Sequence, residues 1–503
     1  MSPNVRMRIF YRLAILGTAF LLMVAVGVGA NAATTHYIST SGADTNAGTS
    51  KTAPWAHLPG MRSCVGNCAA YTPTAGDQFI LRGCDVWTSS SLPVLWNWSG
   101  ASGNPISITV DESWFNTSNC PSGWNRPVFD SGQTHLSVGA YFQIAPNSTT
   151  SFGVLDNVEM KNLADDNYVK CYNSCSDWTW SNLYLHAWHV VTDGSCVLVG
   201  GGANSPNITF TNSIVDGSDA TGANPPGGTC YVSYNTVPKN ITNNVFHDVA
   251  NGIVVGVTAD STYNFSGNLI YNILESNAGS HPNAFETQGG ATFLIHDNVV
   301  HDNLGETAFL GGSGETDYVW NNVFYNIKGN PPDIETRNGF TTGFWFNNTV
   351  VPNSGNLCFL QTGSGSTAQT IENNHCITTG GLTNGSAGFT MRTNLVQTPT
   401  QAAGQSYTSS EAYAYSPSNT SGGTVGTGTN LTNSCSGTLG SLCHDSVYAC
   451  SQRTLNGVVQ AVCPSRSAIA RSSSGAWDVG AYLYSTASAG GPQAPTSLSA
   501  VVQ

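Results

Sequence analysis

Short apolar runs interrupted by polar residues recur between residues 240 and 378, and clusters of Asn, Asp and Gly separate them. Typical stretches read ITNNVFHDVANGIVVG, FLIHDNVVHDN and YVWNNVFYNI. Apolar runs this short, bounded by turn residues, predict β-strands rather than helices. An asparagine recurs in the same local frame every 24 to 30 residues, at Asn244, Asn268, Asn298, Asn322, Asn348 and Asn374. A β-rich unit repeated with this period predicts a solenoid.

We expect this asparagine column to be structural. An inward amide at each coil corner can hydrogen-bond to its equivalents above and below and to the backbone of the turn. Those bonds satisfy polar groups that are costly to bury unpaired. The frame continues less regularly upstream, where Asn157, Asn182 and Ser213 are expected to occupy the same position.

The same frame aligns one strand from each of five coils: IVVG, FETQ, AFLG, IETR and CFLQ, which begin at Ile253, Phe285, Ala308, Ile334 and Cys358. Side chains along a strand alternate between faces, so the apolar first and third positions are expected to face the core. The second position, expected to face solvent, reads Val254, Glu286, Phe309, Glu335 and Phe359. The fourth position, also outward, reads Gly256, Gln288, Gly311, Arg337 and Gln361.

Composition agrees with an all-β chain and narrows the partners. The 503 residues include 55 Gly, and only 9% are charged. A formal net charge of −13 argues against nucleic acid or an anionic membrane as the main partner, because both are bound by basic surfaces. We expect a monomer with no membrane association once the leader is removed.

The N-terminus and the cysteines both indicate export. Arg6, Arg8 and Arg12 precede an apolar run, and Ala30-Asn31-Ala32 follows it, which predicts a cleaved signal peptide. The 14 cysteines are even in number, as expected of disulfides in a secreted or periplasmic protein. Sequential pairing is the expectation, with Cys196/Cys230 and Cys358/Cys376 joining neighbouring coils. A zinc site is not predicted, since no set of four Cys and His ligands is grouped.

Both ends of the chain resemble those of a known family. Residues 36–60 read HYISTSGADTNAGTSKTAPWAHLPG, and the strands FILRG, PISITVD and PVFDSG follow; residues 471–484 read RSSSGAWDVGAYLY. These stretches resemble secreted right-handed parallel β-helix proteins of the pectin-lyase-like superfamily, and the resemblance covers about residues 36–485. It implies an all-β, right-handed parallel β-helix with disulfide-rich ends. The family includes lyases, hydrolases, epimerases and non-catalytic adhesins, so fold alone does not decide function.

The predicted organisation follows from the repeat and the resemblance. It comprises a signal peptide (1–32), an N-terminal cap with the first coils (33–135), the parallel β-helix (136–400), a C-terminal disulfide-rich cap with a closing strand (401–485), and a linker or truncated fibronectin-III-like start (486–503). A terminal cap is expected because an open solenoid end exposes strand edges and apolar core.

Two glutamates in the outward column are the candidate catalytic pair. Glu286 and Glu335 are two coils apart, so their backbones should lie about 9.6 Å from each other. Side-chain reach then brackets the carboxyl separation of about 6.5–9.5 Å in inverting glycosidases, where one carboxyl protonates the leaving oxygen and the other activates water. Substrate contacts are predicted for neighbouring positions: Phe309, Phe359, Gln288, Arg337, His281, Asn283 and Glu306.

A second column follows the asparagines: His247, Tyr271, His301 and Tyr325, with Asp248, Asn272, Asp302 and Asn326 beside them. His301, Tyr271 and Tyr325 could line a sugar groove, and the His-Asp neighbours could hold a metal. The favoured interpretation is that these are turn residues stacking on their equivalents.

Three functions therefore remain open for a polysaccharide partner. Hydrolysis of a neutral polysaccharide is slightly favoured, because basic residues that would neutralise a uronate are scarce. A lyase or epimerase would depend on a His/Tyr pair or on Ca²⁺ bound by carboxylates such as Asp302, Glu306 or Asp317. A non-catalytic glycan-binding or surface-attachment β-helix is the third alternative. No cofactor is otherwise predicted.

Overall fold

Parallel sheets form three faces around one apolar core, and a typical coil contributes one strand to each face. The structure is a computed structural model; it describes residues 33–164, 167–190, 195–200, 207–222, 229–234, 237–256, 261–274, 282–305, 307–311, 314–328, 334–336, 342–353, 355–361, 368–384 and 389–485. Strand order within each long sheet follows chain order, and every pairing between coils is parallel. The predicted parallel β-helix is confirmed. The predicted signal peptide and the 486–503 tail lie outside the described residues.

The first sheet has thirteen described strands: Thr35–Ile38, Gln78–Gly83, Ile106–Phe115, Thr149–Asp156, Ser174–Ser181, Thr209–Thr211, Asn240–Thr242, Thr262–Ser266, Thr292–His296, Thr316–Trp320, Thr342–Phe346, Ala368–Glu372 and Phe389–Arg392. The second sheet has twelve: Val86–Thr88, Val128–Asp130, Glu159–Lys161, Tyr184–His186, Ile214–Asp216, Val245–His247, Leu269–Tyr271, Val299–His301, Val323–Ile327, Thr349–Pro352, His375–Ile377 and Leu395–Gln397.

The third face is built from two sheets. Its first part is Val94–Trp96, Ala140–Ile144, Asn167–Cys171 and Val199–Gly200. Its second part, called the third sheet below, is Ser195–Val197, Thr229–Tyr234, Asn251–Val255, Phe285–Thr287, Ala308–Leu310, Ile334–Thr336 and Phe359–Gln361. The remaining short strands are the pair His189–Val190 and Thr221–Gly222 and the hairpin Ser451–Leu455 and Val458–Val462. Helices are short: α-helices Gly66–Ala70 and Pro399–Ala403, and 3₁₀ turns Glu411–Tyr413, Thr432–Ser434 and Gly437–Cys443.

The asparagine column forms a continuous buried ladder at the corner between the first and second sheets. Asn268 Nδ2 donates to Asn298 Oδ1 at 3.0 Å, and the Asn268 backbone N–H donates to the same oxygen at 3.0 Å. The pattern repeats on every rung from Asn244 to Asn374 and extends to Asn394. Each of the six predicted asparagines is 0% exposed. The structural interpretation of the column is confirmed.

Upstream, the ladder position is occupied differently from the prediction. Asn157 and Asn182 have φ of 64° and 53°, the left-handed conformation that Asn243 also adopts at 60°. They therefore belong to the column immediately before the ladder, where asparagine is favoured because it tolerates positive φ. Val158 and Leu183, both 0% exposed, follow them at the ladder position. Ser213 is placed as predicted, since its backbone N–H donates to Asn244 Oδ1 at 2.9 Å.

Residues 399–485, called the flank segment below, do not form a closing strand on the end of the solenoid. They run along its side, where Tyr448 and Tyr482 pack on outward residues of the second sheet, and Leu442 and Trp477 pack on outward residues of the first. The covered residues are apolar: Ile214, Val245, Leu269, Val299 and Val323 on the second sheet, and Trp320 and Phe346 on the first.

The corner asparagines bind the flank segment. Asn321 Nδ2 donates to His444 O at 3.0 Å, Asn347 Nδ2 to Asp478 O at 3.0 Å, and Asn373 Nδ2 to Thr429 O at 2.8 Å. The hairpin of the segment reaches back to the early coils, where Asn125 Nδ2 donates to Gly457 O at 3.4 Å. The predicted terminal cap is thus corrected to a lateral strap, because the outer faces of these coils are themselves apolar.

The disulfides follow the expected sequential pairing. Six are described: Cys64–Cys68, Cys84–Cys120, Cys171–Cys175, Cys358–Cys376, Cys435–Cys443 and Cys450–Cys463. Cys230 is also disulfide-bonded, and it lies opposite Cys196 in parallel register, although the Cys196 side chain lies outside the described part. Within the described residues, no helix is long and apolar enough to cross a membrane.

Candidate functional site

The outward column of the third sheet has the predicted register through Glu335. Val254 lies opposite Glu286, Glu286 opposite Phe309, and Phe309 opposite Glu335. The two glutamates are therefore two strands apart, with backbones about 9.6 Å from each other. The side chains of Phe309 and Glu335 lie outside the described part of the chain.

The next strand departs from the prediction by one residue. Ile334 lies opposite Phe359, and Glu335 lies opposite Leu360. Phe359 is 2% exposed and packs in the core against Trp345, with ring centroids 5.9 Å apart. The prediction of Phe359 as an outward substrate contact is therefore wrong. The physical reason is that Phe359 rather than Cys358 takes the inward first position of the strand, while Cys358 is buried just before it in the disulfide with Cys376.

Glu286 is held by two amide side chains. Asn283 Nδ2 donates to Glu286 Oε2 at 3.3 Å, and Gln288 Nε2 donates to Oε1. Asn283 is 2% and Glu286 8% exposed, while Gln288 is exposed to solvent. The Glu286 side chain is thus largely buried among its neighbours and does not project into solvent. Both carboxyl oxygens of Glu286 accept hydrogen bonds, which fix the orientation of the group.

Beneath Glu286, two buried acids face the interior. Thr287 Oγ1 donates to Glu315 Oε1, and the Gly289 backbone N–H donates to Glu315 Oε2 at 3.3 Å. Asp317 is two residues further on and, like Glu315, is 0% exposed. Burial, reinforced by the nearby charge of Glu315, raises the pKa of Asp317 well above its usual value, which favours the neutral acid. Asp317 lies inside the solenoid and is not a surface ligand for Ca²⁺.

The His/Tyr column is a stack of parallel rings. Centroids of His247 and Tyr271 are 4.8 Å apart, those of Tyr271 and His301 5.0 Å, and those of His301 and Tyr325 4.8 Å. The angles between the ring planes are 4°, 2° and 16°. The favoured interpretation, stacked turn residues, agrees with this arrangement.

The flank segment occupies the surface that this column would offer to a sugar. His247 Nε2 lies 2.7 Å from Gln452 Oε1, and His301 Nε2 lies 3.3 Å from Glu411 Oε1. The other ring nitrogens face their neighbouring aspartates, at 2.6 Å for His247 and Asp248. His247 and His301 are 4% and 5% exposed. The flank segment therefore disfavours the alternative in which His301, Tyr271 and Tyr325 contact a substrate.

The remaining predicted contacts have mixed outcomes. Asn283 and Gln288 lie beside Glu286, as described above. His281, Glu306 and Arg337 lie outside the described residues. Asp302, suggested as a Ca²⁺ ligand, contacts its neighbour His301 at 2.7 Å. In the part of the chain that the structure describes, no three His, Cys, Asp or Glu side chains are grouped to hold a metal ion.

The sequence prediction missed two tyrosines on the same sheet. Tyr231 and Tyr234 lie on the strand Thr229–Tyr234, and their ring centroids are 4.5 Å apart. Tyr234 lies opposite Val254 and thus in the Glu286 column, and it is 38% exposed. Extending the strand alignment by one coil toward the N-terminus would have identified it.

Comparison with known proteins finds similar folds at low sequence identity. No family model matches the chain, and no curated protein matches it. The GH136 lacto-N-biosidase from Eubacterium ramulus (native protein) is 13% identical with a TM-score of 0.45, over 72% of this chain and 68% of that one. A rhamnogalacturonan lyase is 14% identical with a TM-score of 0.42, over 72% and 87%. Pectate lyase Pel9A is 15% identical with a TM-score of 0.43, over 80% and 94%. These likenesses concern the fold alone.

Proposed function

We propose that the protein is a secreted enzyme that cleaves glycosidic bonds of a polysaccharide on the outer surface of the third sheet, by hydrolysis. The observation that carries the proposal is the Glu286–Phe309–Glu335 register column, in which two carboxyl groups flank one aromatic position. Their backbone separation of about 9.6 Å leaves room for the water of an inverting hydrolysis.

The surroundings of Glu286 suggest how the two roles are divided. Amide groups of Asn283 and Gln288 hold both carboxyl oxygens of Glu286 in a fixed orientation, which suits a general base that positions and activates water. Glu335 then acts as the general acid that protonates the leaving oxygen. Proton transfers by correctly placed carboxyl groups typically contribute about 10²–10⁴-fold to the rate.

The proposal is tested with a panel of soluble xylan, β-glucan, galactan and polygalacturonate. New reducing ends without ultraviolet absorbance are expected from a neutral member of the panel. An absorbing unsaturated product would indicate β-elimination instead, and would contradict hydrolysis.

Glu286→Gln and Glu335→Gln are each expected to lower kcat by at least about 10²-fold with little change in thermal stability. Glu112→Gln is the matched control, because Glu112 is an exposed glutamate on the first sheet. Equal activity of the Glu286 variant and this control would overturn the catalytic assignment.

A second candidate function is glycan binding without cleavage. It is favoured by the exposed ring of Tyr234 in the same column. Retention on a polysaccharide with no product from any member of the panel would support it. The disulfides fit an oxidising compartment, as expected of a secreted protein in either case.

A further inference from the structure

We propose that Tyr231 and Tyr234 form an aromatic platform that binds one sugar ring of a neutral polysaccharide chain, at a subsite on the N-terminal side of Glu286. The inference extends the proposed function to a separate binding position. It depends on the proposed function only for the identity of the sugar chain.

The first observation is the local geometry of the two rings. Residues three apart on a regular strand point to opposite faces. The burial of two adjacent residues shows that the alternation is broken here: Val232 and Ser233 are both 0% exposed. The two rings consequently meet on one side, with centroids 4.5 Å apart and planes inclined by 34°. Tyr231 thus supports the ring of Tyr234, which remains 38% exposed.

The second observation is the position of Tyr234 relative to the candidate carboxylate. Tyr234, Val254 and Glu286 lie opposite one another on three successive coils. Tyr234 is therefore about 9.6 Å from Glu286 along the solenoid axis, a span comparable to a disaccharide. Val254 lies between them and is 3% exposed. A polysaccharide chain that follows the column would therefore pass over an apolar side chain that does not protrude.

The third observation concerns the chemistry of the surface. The apolar face of a tyrosine ring takes the C–H face of a sugar, while its hydroxyl remains available to water or to sugar hydroxyls. Among the residues that the structure describes, the polar side chains that donate to Glu286 are the neutral amides of Asn283 and Gln288. Such a surface favours a neutral sugar chain over a polyuronate, which would require cations.

The test measures binding separately from cleavage. Affinity electrophoresis through gels containing soluble xylan, β-glucan, galactan or polygalacturonate gives dissociation constants in the Glu286→Gln background. Tyr234→Ala is expected to weaken retention on a neutral polysaccharide about tenfold, whereas Tyr234→Phe, which keeps the ring, should retain most of the affinity. Tyr172→Ala is the matched control, since Tyr172 is 51% exposed and directly follows the strand Asn167–Cys171, which belongs to a different sheet. Its ring centroid lies 5.7 Å from Lys170 Nζ.

The outcomes separate this inference from the proposed function. Loss of retention in Tyr234→Ala, with no product from the parent protein, would support the platform and overturn the enzyme. Unchanged retention in Tyr234→Ala, absence of binding to every polysaccharide, or retention on polygalacturonate alone would overturn the platform.

Discussion

At the scale of single residues, the buried acid Asp317 makes stability depend on pH. Its pKa is raised in the folded protein by burial and by Glu315, so the folded state binds a proton more tightly than the unfolded chain. The register neighbours of Asp317, Phe293 and Gly343, carry no titratable group. The contribution of Asp317 is therefore most favourable at acid pH and declines as pH rises above its ordinary value of about 3.9.

Asp317→Asn should mimic the neutral acid. We expect its melting temperature to exceed that of the parent by a margin that grows from pH 4 to pH 8. The corresponding difference in the free energy of unfolding grows by at most about 1.4 kcal/mol per pH unit. Calorimetry across this range checks the prediction, with the exposed-site variant Glu112→Gln as control. A constant difference between variant and parent would contradict it.

The ladder supplies a second prediction at this scale. Asn298 accepts from Asn268 and donates to Asn322 and to Phe265 O. Asn298→Ala should cost about 1–3 kcal/mol for each partner left unpaired. Asn298→Asp should cost more, because an oxygen would replace the donor. Asn147→Ala, at an exposed asparagine, is the control, and urea unfolding is the measurement.

Sequence predicted the ladder because its spacing is regular and its chemistry repeats. It misplaced Asn157 and Asn182 because asparagine serves both corner positions. It misplaced Phe359 because the strand begins at Phe359, one residue later than the aligned Cys358. The inward position of Asp317 on the strand Thr316–Trp320 was missed, because the acid was taken as a surface group although it alternates in phase with the buried Val319.

At the scale of elements, the buried cation Arg471 helps to hold the flank segment in place. Arg471 is 4% exposed and donates to Asn321 Oδ1 at 3.0 Å and to carbonyl oxygens of His444, Gly480 and Ala481 at 3.3 Å. Its guanidinium also lies 5.4 Å from the centroid of Trp477. Arg471→Met should destabilise the segment by on the order of 3 kcal/mol. Limited proteolysis is expected to cleave residues 399–485 first, whereas the exposed-site variant Arg392→Met should remain resistant.

The contact between His247 and the flank segment should weaken at alkaline pH. Burial alone would lower the pKa of His247, but its hydrogen bond to Asp248 and the charge of Asp216 raise it above the ordinary value. This contribution is present below about pH 6.5 and is lost as pH rises through the raised pKa.

Hydrogen exchange of the hairpin Ser451–Leu455 and Val458–Val462 should therefore be faster relative to intrinsic rates at pH 9 than at pH 6. His247→Gln should reduce this difference. An equal pH response in both proteins would show that His247 is not the group responsible.

At the scale of the whole molecule, the flank segment changes how a solenoid unfolds. Stacked coils contact only their neighbours, so an unsupported solenoid can lose coils stepwise. Here one segment contacts coils from Asn125 to Asn373. We expect a single cooperative transition in the parent and a broader one, with lower apparent m-value, in Arg471→Met. Coincident transitions of equal width would contradict this coupling.

The fold class was predictable because a repeat can be recognised from the spacing of residues along the sequence alone. The lateral position of residues 399–485 was not, because that segment has no repeat and its contacts join residues hundreds of positions apart. The candidate site is intermediate. The Glu286–Phe309–Glu335 column was predictable from the repeat, whereas the covering of the His/Tyr column was not, because the flank segment provides it.

The flank segment also has a consequence for biosynthesis. The coils emerge from the ribosome before the residues that cover Trp320, Phe346 and Val245 exist. Until synthesis reaches residue 485, the nascent chain exposes an apolar surface that favours aggregation or chaperone binding. A truncated product that lacks the flank segment would therefore expose this apolar surface and would be recognisable by it as incomplete.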